Sequence, residues 1–599
     1  MAEADPNDPW ADDAALRAAR LALEARDHAA ARGVAATFAT RFPKSPLRAD
    51  ARLIESRAAL SASRPKDAIA ILTASLAEDK PSQATEQAQR YYLGLAFRAD
   101  GQSAKAAEIL DSLAQSPSAP VAADARYMIG QGHIEAGRFA EAIPPLEGYL
   151  AGKADGEVAD YALAHLAQAR VELGQADAAS KTLEELTRRF PKSKALPPTR
   201  LRLAEAALKA DDHDRAAELF RLVIEGADPG LAARARSGLG FALLEGGKAE
   251  EAAGVFAALQ QESPHDPLAP EAALARGRAL DAAKKTDEAL AAYAQVAENY
   301  PKTEQAGVAT LARARLLVDA SRPDDAAQAY ARYVQDGPAP GGNDQGAGLD
   351  AVLAEWGWAL VDAGKAAEAD KVFTRLLGEF PESPSAADAR FNLAESAYQA
   401  KDHDAVLRLL APLVAEGSKA DPKLVQSALY RLGRTQVERK DWPGAAATFG
   451  RLLAEYPRGR FLREARFWRA EVALQAEDYK TAEADFEALA TELATPSDPK
   501  ELVGTARRRH IQCLVALRRW QDALTAIEAW KPEGPEDPSR DEMEYSRGRS
   551  LQGLARFDEA RAAYQAVIDA AKGGDLAARA QLMRGETFFH QKAYHQALR

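Results

Sequence analysis

An alanine returns at an almost constant stride along this chain, and that stride is incompatible with one globular core. It stands at Ala31, Ala68, Ala106, Ala142, Ala179, Ala216, Ala252, Ala289, Ala326, Ala369, Ala445, Ala482, Ala523, Ala560 and Ala597, with Val406 as the one substitute. Eleven of the fifteen gaps are 36 or 37 residues, and the rest run from 38 to 43. A period of this size, sustained over sixteen copies, marks an array built from one supersecondary unit. A globular chain of 599 residues would split into several domains, whereas one quasi-one-dimensional array accounts for the whole length.

Two more columns keep step with the alanine. Four residues after the anchor stands a large apolar side chain, from Leu72 and Leu110 through Phe220, Phe256, Tyr293, Tyr330, Phe373 and Phe449 to Tyr564, broken only by Ala35. Twelve residues before it stands a small one, such as Ala19, Gly94, Gly240, Gly277, Gly357 or Gly548, with Ile511 as the exception. The tenth repeat shows the physics. Asp350 to Ala363 places Val352, Trp356 and Leu360 at helical spacing and then meets Gly364, a helix stop. Ala366 to Phe380 repeats the pattern with Ala369, Val372, Phe373, Leu376 and Leu377 until Pro381 ends it. Two helices and a tight turn make an antiparallel αα-hairpin. Gly357 and Ala369 are small because two backbones approach there, and Phe373 fills the space beside them. One hairpin covers one side of itself only, so stacking is obligatory.

A small residue in the first helix, alanine then an aromatic in the second, and a proline after it resemble the tetratricopeptide repeat. The resemblance runs over residues 11 to 599 and departs in length, since that family's repeat is 34 residues. The extra residues follow the closing proline, in Phe42-Pro43-Lys44-Ser45-Pro46, Phe190-Pro191-Lys192-Ser193, Tyr300-Pro301-Lys302-Thr303 and Phe380-Pro381-Glu382-Ser383-Pro384. This aromatic-Pro-x-Ser/Thr corner resembles the bacterial cell-envelope branch of the family, which includes the lipoprotein of the outer-membrane β-barrel assembly machine and the Tol-Pal coordinator protein. The resemblance implies an all-α, right-handed solenoid of about sixteen helix-turn-helix repeats.

Composition agrees with that reading. Hydrophobic residues are 47% but aromatics only 7%, as helices packed through Ala and Leu require. A net charge of −12 argues against nucleic acid as the main partner, because phosphate binding needs a basic face. Cys513 is the only cysteine, so no intrachain disulfide can form. No stretch of eighteen apolar residues exists to span a membrane. Residues 1–10 read as a disordered tail, acidic and unlike a signal peptide, so a native start at Met1 implies the cytosol and an envelope site requires an upstream signal. The last repeat stops one turn into its second helix, leaving Phe588, Phe589 and Tyr594 without cover; the sequence reading is that the native chain continues.

Residues 335–349 (QDGPAPGGNDQGAG within them) form a Gly/Pro-rich joint at the longest gap, between an array over 11–334 and another over 350–599. The joint is either a hinge or a surface loop across which stacking continues. Lys531 to Arg540 lengthens a second loop in the same way.

Motifs for catalysis are missing. Gly238-Leu239-Gly240 lacks the third glycine and the strand of a nucleotide fingerprint, and neither Lys248 nor Lys365 has the P-loop glycine before it. His28, His213 and His403 share one register, three before the anchor, where other repeats carry aromatics, so they read as packing residues. No catalytic, cofactor or metal residue is expected.

Surface chemistry points to binding. By the resemblance, first helices line the groove, and the residue eleven before each anchor faces it. Thirteen of these sixteen are polar, several set for pairing within their own helix, as in Arg20–Glu24, Arg315–Asp319 and Arg434–Glu438. Leu95, Phe241 and Trp358 break the pattern and are candidate groove contacts. Adjacent repeats do not carry the regular Lys/Asn set of the carboxylate clamp found in chaperone-binding relatives. Residues 431–520 hold 17 Lys+Arg against 13 Asp+Glu, with Arg458, Arg460, Arg463, Arg466, Arg469, Arg507, Arg508 and Arg509 as a candidate docking patch for an acidic partner or an anionic membrane surface. The expected function is a non-catalytic scaffold binding proteins or peptides, by resemblance in bacterial envelope assembly or maintenance. The alternatives are a regulatory arm of a larger enzyme and a cytosolic assembly scaffold.

Overall fold

The computed structural model describes residues 10–116, 121–226, 228–336, 348–415, 419–492, 500–530, 539–570 and 574–597. Among the described residues 32 α-helices follow one another and no strand occurs, so each anchor alanine belongs to one of sixteen helical hairpins. The chain divides into two compact units, Met1–Arg313 and Ala314–Arg599, with the boundary inside the helix Glu304–Asp319. In each unit consecutive helices pack as neighbours, and in many places the first helix of one hairpin also touches the first helix of the next, as Ala11–Glu24 touches Arg48–Ser61.

The three sequence columns meet where each hairpin closes. Fourteen anchors, from Ala31 to Ala560 apart from Ala106 at 3%, have no exposed surface, while Ala597 is only half-buried. In hairpin ten (Leu349–Asp362 and Ala366–Glu379) a Cβ added to Gly357 would lie 2.4 Å from the Phe373 ring. The same distance separates such an atom from Phe256 at Gly240 and from Tyr293 at Gly277. The small column is therefore a seat for the large one, and each seated ring contributes about 1.5–3 kcal/mol by burial. His28, His213 and His403 open the second helices of their hairpins, behind Asp27, Asp212 and Asp402, whose side chains accept N–H bonds from the first turn.

A fourth column is present that the sequence hides. Five residues before every anchor the backbone turns left-handed, with φ between +56° and +79°. Only Gly101, Gly137, Gly174, Gly247 and Gly364 among these are glycine; the others include Arg26, Asp211, Lys284, Lys440, Glu477 and Ala555. The turn ends the first helix with paired bonds to its last carbonyls, as in Lys284 N–H to Asp281 O (2.8 Å) and Lys285 N–H to Leu280 O (2.9 Å).

The corner after the second helix is built around its hydroxyl. Ser45 Oγ donates to Asp12 (2.7 Å), Ser193 Oγ to Asp160 (2.6 Å) and Ser383 Oγ to Asp350 (2.6 Å), each aspartate lying in the first turn of the same hairpin's first helix. The same oxygens accept the amide N–H groups of Leu47, Ala195 and Ser385 at 3.0, 3.0 and 3.2 Å. Thr303, which has no such aspartate opposite, donates to the Tyr300 carbonyl instead. The extra residues of the long repeat thus tie a hairpin's exit to its own entry while launching the next helix.

Residues 1–9 of the expected tail and 337–347 of the expected joint lie outside the described residues, as do 531–538. The helices Pro323–Asp336 and Leu349–Asp362 on either side of 337–347 pack against each other, and Lys365 Nζ meets Asp324 at 2.7 Å. At the last described hairpin Phe589 and Tyr594 are exposed, whereas Phe588 is half-buried under the Arg561 guanidinium at 4.5 Å.

Candidate protein-interaction surface

Within each unit first helices of successive hairpins adjoin and form a wall, and part of its chemistry follows a register rule. At five steps a residue eleven before its anchor meets the residue fourteen before the anchor of the next hairpin. Arg315 meets Glu355 through two bonds of 2.9 Å, and Glu355 also accepts the Tyr330 hydroxyl at 3.0 Å. Glu395 takes Arg431 through two bonds of 2.6 Å, and Glu471 takes Arg509 at 2.9 Å. Two steps are cation on aromatic: Arg57 over Tyr92 at 5.1 Å and Arg434 over Trp468 at 4.1 Å.

Pairing on this wall therefore runs chiefly between hairpins. Arg315 bonds Glu355 rather than the expected Asp319, because the fork of the guanidinium finds a carboxylate it can bind with two parallel bonds. The expected Arg434–Glu438 pair is present at 4.0 Å. Hydrogen bonding to Glu355 raises the Arg315 pKa, while burial and then the nearby Glu355 carboxylate push the Tyr330 phenol up. These pairs are partly exposed, so each stabilises by about 0–1 kcal/mol and acts mainly on register between hairpins.

The three expected groove contacts stand on hairpins three, seven and ten. Leu95 is half-buried in a cleft of about 1040 Å³ lined by the first helices of hairpins two, three and four, by the second helix of hairpin three and by Leu23 and His28 of hairpin one. Phe241 is half-buried in a smaller cleft of about 360 Å³ and stands edge-on to Phe256 at 5.2 Å. Trp358 is 40% exposed and edge-on to Phe373 at 5.5 Å. Phe241 and Trp358 thus stand beside the seated ring of their own hairpin, whereas in hairpin three the residue seated against Gly94 is Leu110, which lines the same cleft as Leu95.

The eight arginines of the expected patch have separate tasks. Arg469 holds Asp485 through two bonds of 2.6 Å, Arg466 pairs with Glu492, and Arg509 belongs to the wall. Arg460 bonds Ser427 and stacks on Phe461, while Arg508 bonds Thr505 at 3.0 Å. Arg458 and Arg507 are exposed, as is Arg463. Much of the positive charge is therefore countered locally, which the summed charge of the segment does not show.

Among the described residues one trio brings possible metal-ligand atoms within 4.8 Å: Glu483, Glu487 and His510. The Arg519 guanidinium already lies 3.1 Å from Glu483 Oε1, and His510 Nε2 lies 3.2 Å from it, so this buried carboxylate has its counter-charge from the protein. Neither the trio nor the wall pairs were singled out from sequence. Opposite charges 36 to 40 residues apart were the available signal for the pairs.

Comparison with known proteins places these hairpins. Family descriptions entitled tetratricopeptide repeat match residues 16–84, 90–157, 201–267 and 355–411, with others at 133–197 and 271–303, and a tetratricopeptide repeat-like domain matches 419–584. The chain belongs to the tetratricopeptide repeat family. These repeat matches fall in both compact units. No curated protein matches the chain. Similar solved structures include a chain of Naa15/Naa10 bound to HypK-THB, at 15% identity over 98% of this chain and 92% of that one, with a TM-score of 0.30. Another is the C-terminal part of a tetratricopeptide repeat-containing protein from Cytophaga hutchinsonii, at 17% identity over 44% of this chain and 98% of that one, with a TM-score of 0.34. A third, from Parabacteroides merdae, has 17% identity over 46% and 98%, with a TM-score of 0.28.

Proposed function

We propose that this tetratricopeptide repeat protein is a non-catalytic interaction scaffold that binds peptide segments or protein surfaces along its inner wall. The observation that carries this reading is the wall itself: charged steps satisfied between hairpins, interrupted by Leu95, Phe241 and Trp358, apolar groups that project into solvent or into open clefts. Weak contacts spread over many hairpins add through effective concentration rather than through one deep pocket. The acidic balance of the chain disfavours nucleic acid as the partner. Bacterial envelope assembly or maintenance is the setting favoured by the aromatic-Pro-x-Ser corner at Phe42, Phe190 and Phe380.

A photo-crosslinking side chain placed at Leu95, Phe241 or Trp358 should capture the same partner in source cells, and one placed at an exposed position of a second helix, Lys181 or Arg375, should not. Equal capture from both faces would overturn groove binding. Fractionation of those cells, following the chain by antibody, tests the setting: recovery solely with cytosolic proteins removes the envelope role.

A further inference from the structure

The cleft around Leu95 has a chemistry of its own, and a ligand for it presupposes the groove binding proposed for this wall. Its floor is apolar, with Leu60, Tyr92, Leu95, Met128 and Ile129 all half-buried rather than buried. These side chains come from the first helices of hairpins two, three and four, so one ligand lying along the wall would touch three consecutive hairpins. Gly132, on the third of these helices, has nothing within 4 Å of where a Cβ would stand, which leaves the helix surface open to a ligand.

Three arginines border the cleft, and their states differ. Arg98 is occupied by Glu135 and Gln131, and Arg138 lies 3.3 Å from Glu141. Arg57 is exposed, lies over the Tyr92 ring at 5.1 Å and has no carboxylate within ion-pair distance among the described residues. At the corresponding wall steps Arg315 and Arg431 each hold a carboxylate by two bonds. Arg57 thus presents a cation with unused donors, held on an aromatic face, directly beside an apolar floor. Arg20 occupies the same register one hairpin earlier and is likewise exposed. The exposed Asp111 also lines the cleft and repels a carboxylate, which leaves Arg57 as the favoured place for one.

We infer that this cleft binds a peptide segment in which an acidic side chain neighbours large apolar ones, the carboxylate taking Arg57 and the apolar groups covering Tyr92, Leu95 and Ile129. Complementarity of sign fixes the direction of the segment, and the apolar floor supplies most of its affinity.

The test uses the whole chain and a displayed library of random peptides, with selected binders remade as acetylated and amidated fluorescent peptides. Selected sequences should carry Asp or Glu beside Leu, Ile or Phe. Replacing that acid by its amide, or making Arg57→Gln, should weaken binding about fivefold, and the two together no more than either alone. Leu95→Lys should abolish binding. Arg57 is exposed, so Arg57→Gln leaves folding intact, which circular dichroism checks. Binders that respond to Phe241→Lys but not to Arg57→Gln or Leu95→Lys would leave the scaffold reading standing and overturn this one. Binders that use a free terminal carboxylate in place of an acidic side chain overturn the stated ligand class. No binders at all would overturn both readings.

Discussion

At the scale of single residues, the costliest positions are the left-handed ones. A side chain there brings its Cβ close to the neighbouring carbonyl, a strain of about 1–2 kcal/mol that glycine avoids. Eleven of the sixteen such positions carry a side chain, Ala555 with φ +60° among them. Ala555→Gly is expected to stabilise the chain by about 1 kcal/mol, and Gly364→Ala to destabilise it by a similar amount. Urea denaturation of the two variants checks both signs, and a stability loss in Ala555→Gly would show that backbone entropy outweighs the strain. Cys513 offers a second probe, being fully buried, with its thiol pushed up by burial to about 12. A thiol reagent at neutral pH should leave it unmodified in the native chain and label it readily in urea. Because the folded chain keeps the proton longer than the unfolded one, stability around Cys513 should fall as pH rises from the ordinary value of 9.0 toward 12. Native labelling at the unfolded rate would show that the apolar cluster Cys513 shares with Ala470, Phe486 and Leu489 opens freely.

At the scale of elements, the hairpins were legible in the sequence because each needs only local signals. The helices Leu349–Asp362 and Ala366–Glu379 end within a residue of where Gly364 and Pro381 place them. The seat of Phe373 on Gly357 follows from the same columns. The corner motif was visible, but not its work, since Ser383 reaches back 33 residues to Asp350. Ser383→Ala removes a hydrogen bond to a carboxylate and should cost about 1 kcal/mol. Asp350→Asn should cost less in that background than in the native chain, and a double-mutant cycle by thermal denaturation reads the coupling. Additive effects would mean the bond contributes nothing. The wall pairs were hidden for a different reason. Whether Arg315 turns to Asp319 in its own helix or to Glu355 in the next hairpin depends on how successive helices are phased, and no single repeat contains that information.

At the scale of the whole molecule, stability is a sum of hairpin and nearest-neighbour terms, because each hairpin touches little beyond the ones beside it. That makes one core position decisive for its surroundings alone. Ala369 has no exposed surface and stands in the closed seam of hairpin ten, where added atoms have no space. Ala369→Leu should cost about 1–3 kcal/mol through displaced side chains and backbone. The loss belongs to hairpin ten and to its contacts with hairpins nine and eleven, while hairpins one to four keep their own terms. Native-state hydrogen exchange should accordingly show protection falling over residues 323–336 and 349–399 and unchanged over 48–114. Thermal unfolding should broaden or split, since the weakened seam divides the cooperative block. Protection lost evenly along the chain would instead mean that the hairpins fold as one unit. An array with local terms also lets a ligand order only the hairpins it covers. Binding in the cleft of hairpins two to four should therefore survive Ala369→Leu with its affinity intact, and a fluorescence titration of that variant decides the point.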